Sequence, residues 1–181
     1  AFLADQAPGC SVYALGEAGL LNALYDRGIT MNDVNPDYVV IGEARAYSLD
    51  TLTKATNLVL AGAKLIGANS DVSGPIENGI APACRALIAP IEMATGKQAY
   101  FCGKPNPLMM RTGLRMLGCH SGEAVMIGDR MDTDVISGME SGMSTVLVLS
   151  GVTSHADIKK FPYRPRIVLN GVGDIPLEAE N

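Results

Sequence analysis

Apolar and polar positions alternate between two periods along the chain. Short apolar runs of strand type lie at 11–15, 38–41, 63–68, 99–102, 125–128, 144–149 and 166–169. Between them, apolar residues recur three and four positions apart, the spacing of an amphipathic helix. One helix opens at Gly16-Glu17, carries Leu20, Leu21 and Leu24 on one face and ends at Gly28. A second runs to Ala61 from Ser48, which has the chemistry of an N-cap, with Leu52, Ala55, Leu58 and Val59 inward. Others are predicted over 82–95, 107–117, 135–143 and 155–160. Met109, Met110, Leu114 and Met116 read as core positions of the helix over 107–117. The segments 42–47, 72–79 and 150–153 read as loops, and 172–177 closes the chain. The first five residues read as a helix end with no beginning, which predicts sequence upstream. Strand–helix alternation of this kind predicts an α/β architecture with parallel sheets. In such sheets, ligands bind beyond the carboxyl ends of the strands.

Composition narrows the picture. Hydrophobic residues make up 48% of the chain, enough for a sizeable core, and the net charge is −5. No basic stripe exists to neutralise a nucleic-acid backbone, so nucleic acid is excluded as main partner. No apolar run is long enough to span a bilayer, and no signal peptide precedes the first element. Cys10, Cys84, Cys102 and Cys119 lack paired ligand spacing and read as reduced thiols of a cytoplasmic protein. His120 and His155 are isolated and read as loop or surface residues.

The densest chemistry follows the strand over 125–128. Asp129 sits where that strand stops, and Asp132 and Asp134 follow within one turn. Two carboxylates 4 Å apart repel by about 4 kcal/mol at an effective dielectric near 20. One reading is a solvated acidic loop, with Thr133 or Asp132 as N-cap of the next helix. The other is a site for a hard divalent cation, which takes oxygen ligands and turns that repulsion into binding. The position beyond a buried-type strand, with Gly128 allowing close backbone approach, favours the metal. A second constellation precedes it: the strand over 99–102, then Gly103-Lys104-Pro105-Asn106-Pro107. A third, Asn69-Ser70-Asp71, stands at the carboxyl end of the strand over 63–68. It reads either as a plain turn or as a substrate contact.

The segment from Gly128 to Asp134 resembles the fourth motif of the haloacid dehalogenase superfamily, where a strand ends in Gly-Asp and a second acid follows. Its form is similar to that of the NagD-type and 4-nitrophenylphosphatase-type members. The segment from Gly103 to Pro107 resembles the third motif of that subfamily, with Asn106 in place of Ser. The resemblance implies a large α/β cap domain over 1–98 and the C-terminal half of a Rossmann-like core over 99–181. It implies a Mg²⁺-dependent phosphatase acting on small phosphomonoesters, sugar phosphates or nucleotide monophosphates, through an aspartyl-phosphate. Asp129 and Asp134 would be the metal residues, with Asp129 and Lys104 catalytic. Lys104 would also touch the phosphate, and Asn69 and Asp71 would contact the substrate from the cap. Asp132 would cap the helix or orient Arg130. The family's nucleophile motif, Asp-x-Asp-Gly, is absent, as is its second motif. Both are expected upstream of Ala1, so the chain alone is expected to be inactive. A homo-oligomer is left open. The competing reading is a catalytically silent module that binds a phosphate ligand or a partner. A dinucleotide-binding domain is disfavoured, because no full glycine fingerprint follows Gly16.

Overall fold

Strands that are apolar at consecutive positions need cover on both faces, and the first half of the chain supplies it. A computed structural model describes residues 1–45 and 47–175; the loop over 42–47 and the closing segment over 172–177 extend into residues outside that description. The chain divides after Gly103 into a unit Ala1–Gly103 and a unit that begins at Lys104.

The first unit contains α1 (Phe2–Gln6), β1 (Ser11–Leu15), α2 (Ala18–Tyr25), β2 (Thr30–Met31), β3 (Tyr38–Ile41), α3 (Leu49–Leu60) and β4 (Lys64–Gly67). A hairpin of β5 (Ser73–Ile76) and β6 (Gly79–Pro82), α4 (Cys84–Thr95) and β7 (Tyr100–Phe101) complete it. Five strands form a parallel sheet in the order β2-β1-β3-β4-β7. The strand expected over 99–102 is therefore β7, paired with β4 in this unit. Side chains of β3 alternate between faces. Val39 and Ile41 pack with Leu58, Val59, Ile88 and Ile91 of α3 and α4, while Val40 packs with Leu3 and Leu24 of α1 and α2.

Ser48 caps α3 as its chemistry predicts. Its Oγ accepts the Thr51 N–H at 3.1 Å, and Thr51 Oγ1 accepts the Ser48 N–H at 3.1 Å. Ser48→Ala should lower stability by about 1 kcal/mol, read as a lower urea midpoint with an unchanged slope. An unchanged midpoint would show the cap to be dispensable.

The expected loop over 72–79 is instead largely the antiparallel hairpin β5–β6, with Ser73 opposite Pro82 and Ile76 opposite Gly79. A two-stranded ribbon has only edges, so Pro75 and Pro82 cost it little.

The second unit contains α5 (Pro107–Leu117), β8 (Val125–Gly128), α6 (Ile136–Glu140), β9 (Ser144–Val148) and β10 (Ile167–Leu169). Its parallel sheet has the order β10-β9-β8. Met131, Val135, Leu147 and Ile158 form its core. α5 starts on Asn106 and Pro107 and stops at Gly118 in the left-handed region, the usual asymmetry of helix ends. Of the methionines expected in its core face, Met110 is buried but Met109 and Met116 are exposed: helical spacing sets which residues share a face, not whether another element covers it. Among the described residues, no helix is long and apolar enough to cross a membrane.

Candidate active site

The site is built where β8 ends. Asp129 follows Gly128, and the next residues make a π-turn over Met131–Val135 rather than a capped α-helix. The Val135 N–H reaches the Arg130 carbonyl at 3.0 Å, five residues back. That wider turn lets the Asp134 side chain fold back on the chain preceding it. Its Oδ2 accepts the N–H groups of Asp129 and Arg130, each at 3.1 Å. A Cβ on Gly128 would lie 2.3 Å from Asp134 Cγ. Glycine is needed there for space, since Gly128 does not adopt a positive φ.

Asp134 Oδ1 pairs with the Lys104 ammonium. The Lys104 side chain is 31% exposed and that of Asp134 only 4%, so a largely buried carboxylate holds a cation at the edge of solvent. Charge-assisted bonds of this kind are about twice as strong as neutral ones. The Lys104–Pro105 peptide bond is cis. Asn106 serves the same segment locally, its Oδ1 accepting the Leu108 N–H at 2.9 Å.

Asp129 is held differently. Its Oδ2 accepts the Val152 N–H at 2.7 Å, and its carbonyl accepts the Thr153 N–H at 3.1 Å. Its Oδ1 accepts no hydrogen bond among the described residues. Asp132 turns away to Arg130 in a two-point pair at 2.9 and 3.1 Å. It orients Arg130 and caps no helix. Lys104, Asp129 and Asp134 are thus gathered in one cluster, with Asp132 at its rim.

Carboxylate oxygens suit Mg²⁺, which keeps several waters and binds through one or two carboxylates plus substrate phosphate. Asp129 Oδ1 meets that description. Both Asp134 oxygens are engaged by Lys104 and the two N–H groups. Among the described residues, no group of three or more His, Cys, Asp or Glu side chains could hold a metal.

Asn69 and Asp71 lie in the first unit, beyond β4. Asn69 Oδ1 accepts the Asp71 N–H at 3.1 Å, and its Nδ2 donates to Glu43 Oε1 at 2.9 Å. Asn69 thereby closes a local turn and steadies Glu43. Glu43 belongs to a crevice of about 880 Å³, lined by Glu17, Arg45, Tyr47 and Leu87 among others. The crevice stands at the carboxyl ends of β1 and β3, where the strand order reverses direction, the favoured ligand position in an open parallel sheet. The Arg45 N–H donates to Glu17 Oε1 at 2.8 Å. The Tyr47 hydroxyl donates to the Gly42 carbonyl, and burial raises its pKa, so it remains a donor at neutral pH. Glu17, Glu43 and Arg45 belong to no motif in the sequence. Their place directly after the ends of β1 and β3 is the one signal the sequence carries for this crevice.

Comparison with known proteins identifies the family. The family described as "HAD-hyrolase-like" matches residues 101–175. Dihydroxyacetone phosphatase of Corynebacterium glutamicum is 49% identical over 174 residues, covering 96% of this chain and 63% of that protein. Ribonucleotide monophosphatase NagD of Escherichia coli K12 is 42% identical, covering 92% of this chain and 66% of its own. The chain therefore spans just under two thirds of these relatives. An acid sugar phosphatase of Staphylococcus aureus is 37% identical over 99% of this chain and 70% of its own. The solved structure of E. coli NagD superposes with a TM-score of 0.88, covering 97% of this chain and 68% of that one. By these likenesses, the chain belongs to the haloacid dehalogenase-like hydrolases, in the group of NagD and the 4-nitrophenylphosphatases.

Proposed function

We propose that the chain is part of a Mg²⁺-dependent phosphatase of small phosphomonoesters, sugar phosphates or nucleotide monophosphates. One observation carries this reading. A lysine ammonium and a carboxylate with one open oxygen, Lys104 and Asp129, are held in one cluster by the buried Asp134. Phosphoryl transfer asks mainly for positioning and neutralisation of charge on the phosphoryl oxygens. Lys104 supplies a fixed positive charge for the phosphate. Asp129 would hold Mg²⁺ through Oδ1, and Asp134 would act through water, since its own oxygens are engaged. The ion would neutralise phosphate charge when bound. The names of the relatives, a dihydroxyacetone phosphatase, a ribonucleotide monophosphatase and an acid sugar phosphatase, support this substrate range.

We infer further that the first unit is the cap, selecting substrates through Asn69 and Asp71, and that the second is the later half of the hydrolase core. The nucleophile, an aspartate forming an aspartyl-phosphate, would lie outside residues 1–181. β8 is an edge strand whose Val125 and Ile127 are exposed, a template for one more parallel strand. Its carboxyl end would then fall beside Asp129. Four free cysteines are consistent with a cytoplasmic protein.

A catalytically silent ligand-binding module is the second reading. It is favoured by the engagement of Asp132 and Asp134 in ion pairs, which leaves neither available to attack phosphorus.

The test is phosphate release by the full-length protein from a panel of sugar phosphates, nucleotide monophosphates and an aryl phosphate, with Mg²⁺ and with chelator. Mg²⁺-dependent turnover is expected. Asp71→Ala should shift the ranking of natural esters by about 10-fold while sparing the aryl phosphate. Equal loss on all substrates would contradict selection by Asp71, and no turnover on any would favour the silent module.

A further inference from the structure

The loop that follows β9, Ser150-Gly151-Val152-Thr153, is bonded to Asp129 at two points and to Met131 at a third. The Val152 N–H donates to Asp129 Oδ2 at 2.7 Å, the Thr153 N–H donates to the Asp129 carbonyl, and Thr153 Oγ1 accepts the Met131 N–H at 3.4 Å. Thr153 is 7% exposed, so this anchor is buried. Gly151 provides the seat. A Cβ built on it would stand 2.1 Å from Asp129 Oδ2 and 2.5 Å from its Cβ and Cγ. Non-bonded heavy atoms do not approach so closely, so the carboxylate or the loop would have to shift. Gly151 has no positive φ, so its backbone would accept alanine. What forbids a side chain there is the Asp129 carboxylate itself.

We propose that this loop makes Asp129 a one-oxygen ligand, with Gly151 as a positioning residue and the Val152 N–H as the clamp on Oδ2. The inference rests on the reading of Asp129 as a metal residue. A carboxylate oxygen turned to a backbone donor has one lone pair already used and its direction fixed, so the other oxygen is the better placed to meet a cation. That suits Mg²⁺ or Mn²⁺ and works against Ca²⁺, which takes more ligands and often chelates a carboxylate through both oxygens. Donors that orient a metal ligand are typically worth 10–100-fold in metal affinity.

The experiment is Mn²⁺ binding to the full-length protein, followed by the electron paramagnetic resonance of the free ion, with Ca²⁺ as competitor. Wild type is compared with Gly151→Ala, with Val152→Pro, which removes the donor, and with Gly113→Ala. Gly113 lies in α5, and a Cβ there meets nothing within 4 Å. Melting curves of the metal-free proteins identify any variant that fails to fold. The expected result is an Mn²⁺ Kd raised about 10–100-fold in Gly151→Ala and Val152→Pro, with the preference for Mn²⁺ over Ca²⁺ narrowed. Gly113→Ala should match wild type. Folded Gly151→Ala and Val152→Pro proteins that bind Mn²⁺ as tightly as wild type would overturn the clamp alone. A wild-type protein that binds no Mn²⁺ would overturn the reading of the site and the clamp with it.

Discussion

Residues 1–181 expressed alone should release no phosphate from an aryl phosphate in the presence of Mg²⁺. Covalent phosphoryl transfer needs a nucleophile held in line with the leaving group. The acids near Lys104 have other partners, and only Asp129 keeps an open oxygen, which the proposed reading gives to the metal. Asp134 holds Lys104 and two N–H groups, Asp132 holds Arg130, and Asp129 is tied to Val152. In the proposed reading these groups stabilise charge, and none of them is the group that attacks phosphorus. In a serine protease, removal of the nucleophile costs on the order of 10⁶ in turnover, and a deficit of that scale is expected here relative to the full-length protein. Val125 and Ile127, exposed on the edge strand β8, should also make the piece self-associate at high concentration. Turnover by residues 1–181 that disappears on Asp129→Ala would contradict this and would place the nucleophile within the chain.

Most of the fold was legible because its strands and helices carry strong local signals. The boundaries of β1, β3 and α5 match the apolar runs and end signals residue for residue. Ser48 was legible as a cap because the bond it makes lies within its own turn. The hairpin β5–β6 was hidden by Gly74, Pro75, Gly79 and Pro82, which read as breakers but sit well in a ribbon that is all edge. β2 was hidden because Thr30 and Met31 are both exposed and make no apolar run. The burial expected of Met109 and Met116 did not follow from helical spacing, because spacing defines a face and not what covers it.

In the second unit, the carboxylates of the candidate site were legible by number and position, but their different partners were not. Spacing cannot tell that Asp134 folds back onto Gly128 while Asp132 turns outward to Arg130. That depends on the π-turn, one residue wider than an α-turn, which the sequence does not mark. The hold on Asp129 was invisible for another reason. Val152 is 23 residues away, and the contact exists only because β8 and β9 are neighbours. Glu17 and Glu43 were passed over because each is an ordinary loop residue until β1 and β3 are seen side by side.

Asp129→Ala in the full-length protein should remove Mg²⁺-dependent hydrolysis while leaving the fold in place. The fold persists because the carboxylate itself bonds only the Val152 N–H among the described residues. The backbone bonds to Thr153 and Asp134 remain after truncation. Loss of that one charged hydrogen bond costs about 1.5–3 kcal/mol of stability. The chemical loss is larger. Removing one preorganised group that stabilises transition-state charge costs about 10²–10³ in turnover, and Asp129 would also take the metal with it. The most direct measurement is therefore initial phosphate release by the full-length protein across a Mg²⁺ titration, wild type beside Asp129→Ala, with melting curves of both. Wild type should saturate with Mg²⁺, fall to baseline with chelator and recover on re-addition. Asp129→Ala should stay at least about 10²-fold lower at every Mg²⁺ concentration. Wild-type turnover indifferent to Mg²⁺, or an Asp129→Ala protein as active as wild type, would contradict the assignment of this cluster as the phosphoryl-transfer site.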